Sequence, residues 1–246
     1  MRNEIVEWAT SIPPVTRFFF FGTLLLSALA PMVLPRRVLS LFLLESGAIM
    51  KLEIWRFITA ALFYGGPSFA LLSHLFMLYS YGRRLEETNF AGRRADYVFA
   101  ITMLLAVISA VSFFFNLRIT GSSLTQAIIY IWSQLNRDVI VTFFFGINFK
   151  AALLPWAFIA FDILTGVSPL SSFIGIVAGH AYYFTTFEWP TSSGRPPIFQ
   201  TPGIFRDIFG ADDRPPTVQS ADGAPPSPPT GSGSTRQWAT GPSRRI

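Results

Sequence analysis

Tyr97 to Phe115 reads YVFAITMLLAVISAVSFFF, nineteen residues without a charge. The hydrocarbon core of a bilayer takes about 20 apolar residues in helix, so this run points toward a membrane span. Its N-terminal flank holds Arg83, Arg84, Glu86, Glu87, Arg93, Arg94 and Asp96, a charged hairpin. Phe57 to Tyr81 is another apolar block, interrupted by Gly65-Gly66-Pro67. Further blocks run from Phe18 to Leu34, over 119–135, from Leu153 to Gly166 and from Leu170 to Trp189. Six blocks predict an all-α polytopic membrane protein of six transmembrane helices. Ala28-Leu29-Ala30 resembles a signal-peptide cleavage site. The long polar leader and Pro31 favour an uncleaved first span instead. Blocks four and five are short or diluted with polar residues. Either they pack inside the bundle or the bilayer thins around them.

Composition agrees. Of 246 residues, 51% are hydrophobic and 13% charged, against roughly 25% charged in a soluble domain. Mean hydropathy is +0.44 although residues 190–246 hold eleven Pro and seven Gly. Such a tail cannot bury enough apolar surface to offset its ordering entropy, which predicts disorder over 190–246. The organisation expected is a cytosolic segment 1–17, a six-span domain 18–189 and that tail. A soluble globule is excluded, and the absence of Cys excludes a disulfide scaffold or thiolate site. Two distant His, His74 and His180, make a metal site a poor expectation, and no cofactor is expected. No basic stripe with interleaved aromatics points to nucleic acid. No P-loop pattern occurs, so the chain has no nucleotide-driven motor of that kind. Most Lys and Arg outside the blocks fall on the side holding Arg17, Arg83, Arg84, Arg93, Arg94, Arg137, Lys150 and the tail. The positive-inside rule puts both termini in the cytosol.

Four patterns carry candidate function. Ser171, Gly175 and Gly179 recur every fourth residue on the sixth block, the small-residue spacing that lets helices approach closely in lipid. Packing against another span of the same chain is the leading reading, ahead of dimerisation. Ser123, Gln126, Tyr130 and Ser133, continued by Arg137, form a polar stripe on the fourth. It reads equally as interhelical hydrogen bonding or as the client-facing flank of an open lateral cavity. Trp55-Arg56 stands before the second block, where the pair can anchor in headgroups with their side chains stacked. Asp162 is an intramembrane carboxylate by position, but Gly166 and Pro169 beside it favour a place at the aqueous boundary. Phe143 to Phe149 reads as an interfacial segment. Gly121-Ser122-Ser123 invites a serine nucleophile, which needs a base in hydrogen-bond reach. One turn before Gly175, where an intramembrane serine protease carries its His, stands Ser172.

Taken in order, these stretches resemble the derlins, the Der1-type relatives of rhomboid proteases that lack the catalytic dyad. The matching residues are Ser11-Ile12-Pro13 with Thr16-Arg17, Ile54-Trp55-Arg56 with Ile58-Thr59-Ala60, Arg84-Leu85-Glu86 and Ala95-Asp96-Tyr97. They continue as Gln134-Leu135-Asn136-Arg137-Asp138, Phe145-Gly146, Phe149-Lys150-Ala151, Leu154-Pro155-Trp156 and Gly175 to Gly179-His180. The resemblance implies a rhomboid-like six-span fold in the endoplasmic reticulum membrane, without catalytic residues. It implies a part in degrading misfolded proteins, by moving them from the lumen or the bilayer to the cytosol. Trp55 and Arg56 match the family's Trp-Arg motif, and Gly175 and Gly179 its Gly-xxx-Gly motif. Implied partners are a Hrd1-type membrane ubiquitin ligase complex, the Cdc48/p97 ATPase, misfolded clients and membrane lipids, in a homo- or hetero-oligomer. The ATPase-recruiting tail motif survives only as Trp238 and Gly241, with Ala239 and Arg244 in place of expected residues, so the ATPase is expected to be met indirectly. The mechanism expected is passage through a thinned, wet patch of membrane. An active intramembrane serine protease and a non-conducting scaffold of a ligase complex are the alternatives.

Overall fold

The computed structural model describes residues 2–45, 53, 55–143 and 146–210. Ile54, Phe144, Phe145 and the tail residues Trp238, Ala239, Gly241 and Arg244 lie outside the described residues. The chain is mostly helical. Helix α1 (Arg2–Ser11) stops before Pro13, and α2 (Pro14–Val33) begins with Pro14. There a missing N–H costs nothing. The free amides of that helix start are met from elsewhere in the chain. Val15 and Thr16 donate their backbone N–H to the buried Glu86 carboxylate at 3.1 and 2.8 Å, and the Thr16 hydroxyl adds a third bond. A carboxylate at a helix N-terminus is favoured by the exposed amides and their dipole. Here it ties the charged hairpin to the first apolar helix.

A short helix α3 (Arg36–Leu39) and a tight turn (Ser40–Phe42) lead on toward α4 (Trp55–Leu62). The block expected as one span over 57–81 is broken in two, because Gly65, at φ +94°, and Pro67 end the helical path. Helix α5 (Phe69–Met77) starts afresh, with the Ser68 hydroxyl accepting the Leu71 N–H. It continues through π-helical turns at Leu78–Gly82 and Leu85–Asn89 into the hairpin. Then come α6 (Arg94–Phe114) and α7 (Gly121–Leu135). The aromatic segment after α7 is a small antiparallel ribbon of β1 (Ile140–Thr142) and β2 (Asn148–Lys150), with Val141 opposite Phe149. Within it Phe143 turns inward, onto Phe158 and Phe161 of the next helix, while Ile140 and Ile147 are exposed. Helix α8 (Leu154–Thr165) ends at Gly166 in the left-handed conformation, and α9 (Pro169–Tyr183) closes the bundle.

Helix α7 lies at the centre, with thirteen of its residues buried. Ile108, Leu124, Ile128, Leu154 and Phe158 make the core around it. The outside is also apolar: Leu72, Phe114, Leu164 and Phe173 are all exposed. A bundle greasy on both sides suits lipid rather than water. Among the described residues two helices, Pro14–Val33 and Arg94–Phe114, are long and apolar enough to cross a membrane. Beyond α9 the chain does not become featureless at once. Within 190–210, expected to be disordered, stand α10 (Trp189–Ser193) and α11 (Gly203–Phe209). Helix α11 is held to α6 by Phe205 against Phe99 and by the Thr201 hydroxyl donating to Asp96 at 2.6 Å.

Candidate functional site

The glycines of α9 face α7. A Cβ built on Gly175 would lie 2.2 Å from the Ser123 carbonyl oxygen and 2.9 Å from the Gln126 Cβ. On Gly179 it would meet the Ala127 carbonyl at 3.0 Å and the Tyr130 Cβ at 3.2 Å. The two helices therefore touch backbone to backbone, and the polar stripe of α7 lies in and around that contact. The Ser123 hydroxyl donates to the Ser171 carbonyl at 2.6 Å. The Gln126 amide donates to the Pro155 carbonyl at 2.7 Å, and the Ser133 hydroxyl to the Tyr130 carbonyl at 2.7 Å. Ser123, Gln126 and Ser133 are 0% exposed. The client-facing reading of the stripe is corrected accordingly. A central helix has neighbours on every side, so the Ser123 hydroxyl and the Gln126 side-chain N–H reach carbonyls of adjacent helices instead of a cavity, while the Gln126 Oε1 is buried without a hydrogen-bond partner. Tyr130 differs: it is half-buried, and its hydroxyl lies 2.8 Å from His180 Nδ1. Neither imidazole is bonded to Ser123. His180 is engaged by Tyr130 and His74 by Asp162.

The Trp-Arg motif splits between two environments. Trp55 is 58% exposed, whereas Arg56 is buried. The Arg56 guanidinium donates from Nη1 to the Ser40 and Leu43 carbonyls at 3.1 and 3.0 Å, and its Nε pairs with the Glu53 carboxylate. The expected stacking of the pair in headgroups is corrected. Arg56 turns away because three acceptors from the preceding loop converge on its planar fork. Thr59 donates to the Phe42 carbonyl, and the Leu44 N–H to the Arg118 carbonyl at 2.9 Å. Together these bonds clasp residues 40–44 across the end of the bundle.

A third cluster escaped sequence reasoning. Asp162 is fully buried, not at the aqueous boundary. Its Oδ1 lies 3.1 Å from His74 Nε2, and its Oδ2 accepts the Ser172 hydroxyl. Burial of a carboxylate is tolerable only with such partners, and they come from α5 and α9. Tyr64 lies beside them, its ring 5.2 Å from that of His74 and its hydroxyl 2.6 Å from Thr125 Oγ1. Above the cluster, Phe69 of α5 meets Phe161 of α8 at 6.1 Å. The α5–α8 seam is thus closed by side chains. In this order the carboxylate sits between Ser172 and His74, so the imidazole cannot take the hydroxyl proton directly. Among the described residues no group of three His, Cys, Asp or Glu could hold a metal ion.

Comparison with known proteins now adds a lineage to this geometry. Residues 12–203 match the model of the Der1-like family. Human Derlin-1 is 35% identical over 206 residues, covering 81% of this chain and 80% of its own. Derlin-1 of Drosophila melanogaster is 32% identical over 239 residues, covering 93% and 96%. A probable derlin-1 homolog of Dictyostelium discoideum is 34% identical over 220 residues, covering 87% and 88%.

Proposed function

Because the chain belongs to the Der1-like family, the derlins, we propose that it assists the movement of misfolded lumenal or membrane proteins to the cytosol in endoplasmic-reticulum-associated degradation. In this reading it is a six-span, rhomboid-like bundle of the endoplasmic reticulum membrane with both termini cytosolic. It breaks no bond. The observation that carries the mechanism is helix length. Helix α8, whose Trp156, Ile163 and Leu164 are exposed, runs with the turn before it over Ala151–Thr165, about 22 Å at 1.5 Å per residue. The hydrocarbon core measures about 30 Å. Lipid meeting a helix this short thins locally. A polypeptide crossing a thinned patch leaves fewer peptide groups unpaired in hydrocarbon, each of which costs several kcal/mol.

The lateral opening lies along α5 and α8, not along the α7 stripe, because the contacts described at that seam are between side chains. The Arg56 clasp holds the loop over residues 40–44 beside it. Driving force comes from a cytosolic ATPase of the Cdc48/p97 type, met through a Hrd1-type ubiquitin ligase complex. The test is site-specific photocrosslinking in membranes from Leu72 on α5, Leu164 on α8 and Phe173 on α9 to a degradation client arrested in transit. Client adducts from the first two positions are expected. Adducts to partner subunits alone would favour a non-conducting scaffold. Cleavage of a membrane client that is lost in Ser123→Ala would return the chain to the proteases.

A further inference from the structure

The other face of the bundle carries a cleft with no part in that mechanism. It opens between α2 and α6 and has a volume of about 540 Å³. Its walls are Phe18 and Phe19 of α2 and Val98, Ile101 and Leu105 of α6. Among the described residues the charged side chain on its lining is Arg94, at the mouth, and no carboxylate lines it. Arg94 is exposed, and among the described residues no carboxylate is paired with it. Of the acids around Arg94, Glu86 is bonded by the start of α2, Glu87 by Arg83 at 2.9 Å and Asp96 by Arg93 at 3.0 Å. Ile208 and Phe209 of α11 lie over the opening. The outer side of α11 is apolar too, with Ile204 69% exposed. An apolar surface of this kind, next to a basic side chain, belongs at the headgroup level of a membrane.

We infer that the α2–α6 cleft binds one acyl chain of an anionic phospholipid, with the headgroup on Arg94 and α11 lying over the mouth. Depth argues for a lipid. Arg94 to Leu105 spans about 17 Å of helix, which matches one leaflet, about half of the ~30 Å core. Charge argues for an anionic headgroup, because the charged side chain on the described lining is the exposed Arg94, and the carboxylates around it, Glu86, Glu87 and Asp96, are bonded to other groups. The site rests on contacts separate from the α5–α8 seam, so it stands or falls apart from the degradation role.

The absence of Cys from the chain allows a direct test. The full chain carrying Thr102→Cys, labelled with bimane, is placed in phosphatidylcholine vesicles containing either brominated phosphatidylserine or brominated phosphatidylcholine at equal mole fraction. Phe114→Cys, 84% exposed at the far end of α6, is the reference position. Quenching at position 102 is expected to favour the anionic lipid about fivefold, the contribution of one basic side chain near an anionic headgroup. Arg94→Gln is expected to abolish that preference, while position 114 shows none in either background. Equal quenching by the two lipids at position 102, or a preference untouched by Arg94→Gln, overturns the proposal. So does disulfide-linked dimerisation of unlabelled Thr102→Cys in the membrane, which assigns the cleft to a second copy.

Discussion

The α7–α9 seam and the α5–α8 seam both hide polar groups from lipid, by opposite means. In the first, glycine lets backbones meet, and the Ser123 hydroxyl bonds a carbonyl of α9 while Gln126 beside it bonds one of α8. In the second, the contacts described are made by side chains: His74 meets Asp162, which also takes the Ser172 hydroxyl of α9, and a pair of phenylalanines lies beside them. A backbone contact leaves no intermediate position, since interdigitated helices either pack or separate. A contact made by side-chain tips can open by rotamer changes, with each group free to find water or another partner. The contrast assigns rigidity to the centre of the bundle and mobility to its edge.

The contrast breaks most severely at Gly175. Gly175→Val puts a branched side chain where even a Cβ would lie 2.2 Å from the Ser123 carbonyl. The neighbour is backbone and cannot give way, so the penalty exceeds the ~1–3 kcal/mol of ordinary overpacking. No stable folded fraction is expected in detergent by size-exclusion chromatography or thermal melting. Asp162→Ala strikes the other seam. It leaves His74 and Ser172 buried without their partner, at about 1–3 kcal/mol for each unsatisfied group. Replacing the pair together, His74→Leu with Asp162→Leu, is expected to recover most of that stability, since an apolar pair carries no desolvation cost. If α5–α8 is the moving seam, the recovered double variant melts near the wild-type temperature yet slows client degradation. A double variant that degrades clients at the normal rate would show that the seam need not open through this cluster.

Much of this organisation was legible in the sequence, and the failures share a cause. Apolar blocks reveal themselves because hydropathy adds over a window, and the Gly175/Gly179 spacing because a helix repeats near every fourth residue. The polar stripe of α7 was legible as a stripe, but its spacing is the same whether it faces carbonyls or water. Only the neighbours of α7 decide that. His74 and Asp162 stand 88 positions apart, so neither alone discloses that it is half of a pair. Helix α11 was lost to averaging. Ile204, Phe205, Ile208 and Phe209 form an amphipathic turn, but the Pro and Gly around them set the composition of the whole tail.

A milder effect is expected at Arg56, which supports the edge from outside the helices. Arg56→Ala removes two charge-assisted bonds to Ser40 and Leu43 and leaves Glu53 unpaired. Such bonds contribute about 1.5–3 kcal/mol each in favourable cases, but the loss falls on the loop and not on the core. Limited proteolysis should therefore show faster cleavage within 40–45 with little change in the melting temperature of the bundle. Arg56→Lys is expected to restore only part of the protection, since an ammonium lacks the planar fork that reaches both carbonyls and the carboxylate.

The smallest effect is expected at Ser123, and its size is informative. Its hydroxyl donates one neutral bond to the Ser171 carbonyl, and Ser123→Ala removes that bond along with one oxygen atom. Neutral bonds of this kind contribute about 0.5–1.5 kcal/mol. The glycine contact beside it persists, because it is made by the carbonyl of residue 123 and not by the side chain. Ser123→Ala should therefore lower the melting temperature slightly and leave client degradation unchanged. A large drop in stability would mean that side-chain bonds, not backbone contact, hold the α7–α9 seam together, and the contrast with α5–α8 would lose its physical basis.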